Sequence, residues 1–184
     1  MSNLKKHFMY GFLSCFMLSG CSGVKPSDFR DTKPVLSIEK YFSGDTYAWG
    51  IFEDRFGSVK KQFSVDIHGV WDGKELRLDE KFLYSDGEKD RRIWRIKKLG
   101  KNSYEGFADD VFGAARGQSY GNAFNWQYQM DLDINGLLVR VNFNDWMFLQ
   151  ESGVLINRAK VTKWGIDIGE VTLFFSKKNV NSPM

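Results

Sequence analysis

Three carboxylates fall where apolar side chains belong: Glu53, Glu80 and Asp145 each occupy the apolar parity of a segment that otherwise alternates between apolar and polar residues. An unpaired carboxylate withdrawn from water is costly, so each needs a cation or a hydrogen-bond donor. The inward candidates are Arg55, Lys61, Arg92 and Arg158. Such a set can form an internal polar network, or it can orient the head group of a small ligand inside an apolar cup. A carboxylate pair can also act as acid and base, as in glycoside hydrolysis across about 5 to 9.5 Å. Other chemistry is poorly provided for. His68 is the one histidine beyond residue 21, and it falls on outward parity. There is no His/Cys cluster at zinc spacing and no phosphate loop, so neither metal nor cofactor is expected. Asp109-Asp110 are adjacent, and adjacent strand residues face opposite ways; the pair reads as a turn signal ahead of Gly113.

Cys21 points to a different chemistry. Lys5 and Lys6 precede an apolar run from Phe8 to Leu18, and Leu18-Ser19-Gly20-Cys21 closes it with small residues before the thiol. This arrangement resembles a bacterial lipoprotein lipobox. The resemblance implies removal of residues 1–20, a diacylglyceryl thioether on Cys21, and acylation of the freed amine with a palmitate-type chain. Eleven residues fit a signal h-region better than a bilayer-crossing helix, which needs about 20; the competing reading is a short uncleaved anchor. Several acyl chains hold stably where one binds reversibly. Ser22, rather than aspartate, after the cysteine favours the outer membrane of a Gram-negative cell, periplasmic face. Cys15 lies in the leader, so the mature domain has neither free thiol nor disulfide and must rest on its core. The net charge of +3 falls to +1 once Lys5 and Lys6 are removed, and there is no basic stripe of the kind nucleic-acid binding requires.

The elements that would hold these residues are strands. Residues 21–34 are polar, carry Pro26 and Pro34, and read as a lipidated, flexible tether; Leu36 to Phe42 suits a short helix; residues 35–177 form one domain; and 178–184 read as a disordered tail. From Tyr47 on, period-two alternation is interrupted about every ten residues by turn signals, which predicts an all-β antiparallel meander. Eight to ten strands joined by short turns remove their edges by closing into a barrel, which is either filled by side chains or holds one small ligand.

Turn chemistry sets the register. Asp72-Gly73 suits a two-residue type I′ turn, pairing Trp71 with Lys74 and Ile67 with Leu78; Phe63, Val65 and Ile67 then face in with Leu76, Leu78, Glu80 and Phe82. Asn135-Gly136 pairs Ile134 with Leu137 and places Trp126 opposite Asp145. A three-residue loop between Glu53 and Ser58 turns Trp49, Ile51, Glu53 and Arg55 inward. The segment Phe112 to Gly121, with three glycines, reads as a long connection, either a lid or a strand of close approach. All six tryptophans lie in the mature domain.

Read together, Ala48-Trp49-Gly50-Ile51-Phe52-Glu53-Asp54-Arg55-Phe56-Gly57, Asn122-Ala123-Phe124-Asn125-Trp126, Asn144-Asp145-Trp146-Met147 and Gly169-Glu170-Val171-Thr172-Leu173-Phe174-Phe175 resemble the DUF3833 family of proteobacterial lipoproteins, over Leu36 to Lys177. The resemblance implies a lipoprotein of unknown function with no assigned catalytic residues, and a lipid context through neighbouring fatty-acid cyclopropanation genes. A broader similarity to lipocalin-like barrels rests on the Gly/Trp placement near the first strand and on Arg158. The function expected is binding or carriage of a lipid or other amphipathic small molecule, with Trp49, Phe63, Phe82, Trp126 and Phe143 lining the cup and Glu53, Glu80, Arg92, Asp145 and Arg158 making polar contacts. The alternatives are an envelope interaction protein with a filled barrel and an unidentified protein partner, or a carboxylate-dependent enzyme acting on envelope lipid or glycan.

Overall fold

The computed structural model describes residues 23–134 and 137–177. The leader, Cys21 and the 178–184 tail lie outside the described residues. Ten antiparallel strands run β1 (Gly44–Asp54), β2 (Val59–Trp71), β3 (Glu75–Tyr84), β4 (Lys89–Lys98), β5 (Ser103–Phe107), β6 (Val111–Tyr120), β7 (Ala123–Ile134), β8 (Leu137–Leu149), β9 (Leu155–Lys163) and β10 (Ile166–Ser176). Each pairs with its sequence neighbours, and β1 closes on β10 from Tyr47↔Ser176 to Asp54↔Gly169. The result is the closed all-β barrel that the meander pattern predicts.

Two predicted turns meet different fates. Ile134 does pair with Leu137, and Trp126 does lie opposite Asp145. At the other turn, Trp71 pairs with Leu76 and Ile67 with Glu80, two residues away from the expected register. Asp72 explains the shift: its Oδ1 accepts hydrogen bonds from the backbone N–H of Lys74 (2.8 Å) and Glu75 (2.7 Å), while Gly73 takes the positive φ of 98°. The aspartate works through its side chain, moving the turn to Gly73-Lys74. A two-residue shift preserves parity, so every inward assignment on β2 and β3 survives.

The first strand corrects the sequence reading. The tip of the β1–β2 hairpin forms as expected, with Asp54 N–H donating to Ser58 O at 3.0 Å. Then Glu53 pairs with Val59 but Phe52 pairs with Lys61, leaving Lys60 as an extra residue. This bulge displaces the remaining pairing by one, and a one-residue slip inverts every side chain. Thr46 and Ala48 are therefore the enclosed residues, at 0% and 1% exposure. Trp49, Ile51 and Glu53 face the outside.

The segment Val111–Tyr120 is a strand of close approach, the second of the two readings open to it. Beyond the buried Val111 its inward positions are Ala115, Gly117 and Ser119, all small, because large side chains from β7 occupy the space. A Cβ on Gly117 would lie 2.3 Å from Trp126 and 2.6 Å from Phe124.

One end of the barrel is plugged by the chain before β1. A single helical turn, α1 (Ile38–Tyr41), lies within the predicted helix and buries Leu36, Ile38 and Phe42 in the core. Glu39 is buried with them, accepting from Tyr104 Oη at 2.9 Å and from Lys98 Nζ. Burial alone would raise its carboxyl; the hydrogen bonds from Lys98 and Tyr104 help outweigh that and hold it below the usual range. The expected tether is also packed from Pro26 onward. Pro26–Phe29 forms a 3-10 turn, and Phe29 sits against Trp146 and Phe148 on the outer face of β8, at 5.7 and 5.3 Å between ring centroids. Aromatic packing thus offsets the ordering of a segment whose composition looks unstructured.

Candidate functional site

The plugged half of the lumen is filled. Leu76, Ile96, Tyr104, Phe124, Trp126, Leu155 and Phe175 are all enclosed there, and Trp94 and Trp126 meet edge to face at 5.6 Å. Toward the opposite end, Phe52, Phe63, Phe82, Leu132, Val139, Ile168 and Val171 are only partly buried. This partly buried apolar ring forms the mouth of the barrel.

Beneath the mouth runs a chain of charges. Glu80 and Arg92 are direct cross-strand partners on β3 and β4, with Nη1 and Oε2 3.9 Å apart. The same guanidinium donates through Nε to Asp110 Oδ2 at 2.8 Å and covers the Phe82 ring at 5.4 Å. Deeper in, Tyr128 Oη donates to Asp145 Oδ2 at 3.2 Å, while the Tyr128 ring stacks on Phe143 at 5.0 Å with 2° between planes. Burial dominates the electrostatics. It pushes both Glu80 and Asp145 up to about 7, against the pull of Arg92 on each. Burial opposes the charge on Arg92 too, but Glu80 and Asp110 outweigh it and raise the guanidinium above its ordinary value.

Three buried oxygens in this region have no partner among the described residues: Asp145 Oδ1, Asp110 Oδ1 and Asn157 Oδ1. Asp145 pairs with Ala159 across β8 and β9, so Asn157, two residues along, lies diagonally beside it on the inner face. The amide oxygen of Asn157 only accepts, and the two carboxyl oxygens become donors only by taking up a proton. Three carboxylates share one guanidinium here, so the site has a deficit of donors and of positive charge. Native interiors rarely leave such groups unmet.

The structure brings together Glu80, Phe82, Arg92, Trp126, Phe143 and Asp145 inside the barrel. It places the other three expected residues outside. Trp49 and Glu53 follow the inverted parity of β1. Arg158 occupies an outward position on β9, where its guanidinium grips Glu170 at 2.6 Å, a closer and better solvated partner than any lumen carboxylate. Trp49 instead lines a shallow outer groove of about 510 Å³ with Ile51, Leu83 and Phe174. A second outer hollow of about 530 Å³ lies over Phe112, Arg116, Gln127 and Asn142, where the β6 bulge skips from Phe112↔Gln129 to Arg116↔Gln127. Sequence reasoning missed Asp110, which serves both the turn and Arg92, and Asn157, whose inward parity with Leu155 and Ala159 was available to read.

A family model described as a protein of unknown function, DUF3833, matches residues 15–177. The chain belongs to the DUF3833 family. No curated protein matches it. Among solved structures, an S-type phycobiliprotein lyase from Guillardia theta is similar, with a TM-score of 0.53 and 9% identity over 78% of this chain and 95% of the other. At that identity the likeness is one of fold: this DUF3833 protein shares a lipocalin-like barrel with it.

Proposed function

We propose that this DUF3833 protein binds an amphipathic small molecule in the open half of its barrel. The observation that carries the reading is the donor-poor floor beneath an apolar mouth: Asp145 Oδ1 and Asn157 Oδ1 stand buried and without a partner among the described residues, below the partly buried Phe63, Phe82 and Val171. A ligand that fits has hydrogen-bond donors or a positive charge at one end and an apolar body. Its donor end meets Asp145, Asn157 and Glu80; Arg92 takes any acceptor beside them; the body lies among the mouth residues. Use of a related barrel by a phycobiliprotein lyase supports a ligand-handling role. The lipobox-like Cys21 supports tethering to a membrane, with the outer membrane as the expected site and a lipid or lipid-like molecule as the nearest supply of ligand.

A second reading is favoured by the packing of the plugged half and by the position of both hollows on the outer wall. In that reading the lumen is structural and the outer surface binds a protein of the envelope.

Native mass spectrometry of the chain produced from Ser22 onward in a bacterial periplasm, followed by organic extraction, separates the two. The expected result is a one-to-one adduct that extracts as a donor-bearing amphiphile and is lost in Asp145→Leu. A clean apo mass that persists after incubation with envelope lipid extract would reject the ligand reading in favour of the filled barrel.

A further inference from the structure

The turn between β9 and β10 is built against its own backbone preference. Trp164 and Gly165 connect Lys163 to its partner Ile166 with φ values of 51° and 80°, the two positive angles of a type I′ turn. That turn favours asparagine, aspartate or glycine at its first position, and a bulky side chain at positive φ is a genuine outlier. Strained residues of this kind cluster at functional sites. The Trp164 side chain gains little from burial, since the residue is 87% exposed. Its sole ring contact among the described residues is Lys163, whose Nζ lies 4.6 Å from the ring centroid.

The neighbouring tips repeat the pattern. In the adjacent β1–β2 turn Phe56 is 78% exposed, with Arg55 Cζ 4.7 Å from its ring centroid. Neither Arg55 nor Lys163 has a carboxylate partner among the described residues. On the other side of β9–β10, the start of β8 exposes Leu137 and Leu138 at 70% and 75%. All three tips stand at the open end of the barrel. The β3–β4 turn differs: Asp86 and Glu88 occupy it and engage Lys61, while the β5–β6 end exposes Phe107 and Phe112 at 40% and 55%. The rim thus carries exposed apolar side chains beside cations unpaired among the described residues at the β9–β10 and β1–β2 tips, and paired acids at the β3–β4 turn.

We infer that the Phe56, Leu137-Leu138 and Trp164 tips are a docking edge for a bilayer surface with anionic head groups. Aromatic rings suit the depth where apolar chain meets polar head group, and Lys or Arg beside them can keep its charge among the phosphates while its stem lies along apolar surface. Separate tips can each enter a fluid interface, and cations near the surface add attraction to anionic lipid. A tilted barrel also accommodates a membrane tether at the chain's start. The Pro26–Phe29 turn packs at the plugged end on β6, β7 and the outer face of β8, and Leu137-Leu138 stand at the mouth end of the same side, so a barrel lying on that side turns both toward one bilayer. Docked in this way, the mouth opens beside the interface.

The test is co-sedimentation of the chain from Ser22 onward, free of acyl groups, with vesicles of phosphatidylglycerol and phosphatidylethanolamine and with vesicles of phosphatidylcholine alone. This chain contains the Pro26–Phe29 turn, the plug and all ten strands. The expected result is partitioning onto the anionic vesicles at least tenfold stronger than onto the neutral ones. Trp164→Asn should lose at least tenfold of it while its Tm stays equal or rises, because asparagine relieves the turn. Absence of binding to either vesicle would overturn the inference, as would equal binding to both or undiminished binding by Trp164→Asn paired with Phe56→Ser. Self-association abolished by Trp164→Asn, in place of vesicle binding, would assign the edge to a second copy of the chain and overturn it as well.

Discussion

Gly117 and Trp126 face each other across β6 and β7, and the indole fills the space where a side chain at 117 would stand. The same ring closes off Gly106 on β5, where a Cβ would lie 2.6 Å from Trp126 Cζ2. One large residue thereby sets the composition of two neighbouring strands.

Gly117→Ala should destabilise the barrel by about 1 to 3 kcal/mol, the cost of overpacking, and Trp126→Ala by about 3 to 5 kcal/mol through the cavity it leaves. Because the two share one space, the double variant should be less unstable than the summed singles. Urea unfolding of the four proteins measures this; additive effects would show that Gly117 is tolerant on its own account.

Stability should fall as pH rises between about 4 and 7. Glu80 and Asp145, raised to about 7 mainly by burial, hold protons in the folded chain that the unfolded chain has already released, so their stabilisation is full below the ordinary carboxyl range and lost through the folded value. Asp145→Asn removes one of the two titrations. Its stability should match the parent near pH 4 and exceed it at pH 8 by on the order of 2 kcal/mol, read from denaturant midpoints across the range. A constant difference at every pH would show that Asp145 is ionised throughout.

Arg92 and Arg158 should respond differently to removal. Arg92→Met strands Glu80 and Asp110 at the floor of the mouth and should cost about 3 kcal/mol, as expected when one partner of an enclosed ion pair is lost. Arg158→Ala breaks an exposed pair with Glu170 and should cost less than about 1 kcal/mol. Thermal and urea unfolding of both variants, with the adduct mass recorded alongside, would test the assignment; loss of a bound adduct in Arg158→Ala alone would contradict it.

The plug depends on one close backbone approach. A Cβ on Gly69 would lie 1.7 Å from the carbonyl oxygen of Phe42, and neither backbone can turn aside as a flexible side chain would. Gly69→Ala should lift the chain around α1 away from β2. Hydrogen exchange at Tyr41 and Phe42, whose amides bond to Ser37 and Ile38, should then accelerate well beyond that of the β7 and β8 amides. Equal protection in parent and variant would place the flexibility elsewhere.

The sequence by itself determined the period of every strand but β6, the sites of most turns, and the inward parity of Glu80, Arg92 and Asp145. Those features are local: alternation repeats every two residues, and a shift of two at Gly73 leaves it intact. Tertiary structure alone decided which face of β1 looks inward, because one bulged residue at Lys60 reverses the parity carried from the turn. It also decided that β6 is a strand, since its apolar partners are rings donated by β7 and its own residues had only to be small. The choice of partner for each cation was equally beyond the sequence. Arg158 lies on an alternating strand like Arg92, but the neighbouring β10 offers Glu170 on the outer face, and only the closed barrel brings Arg92 within reach of both Glu80 and Asp110.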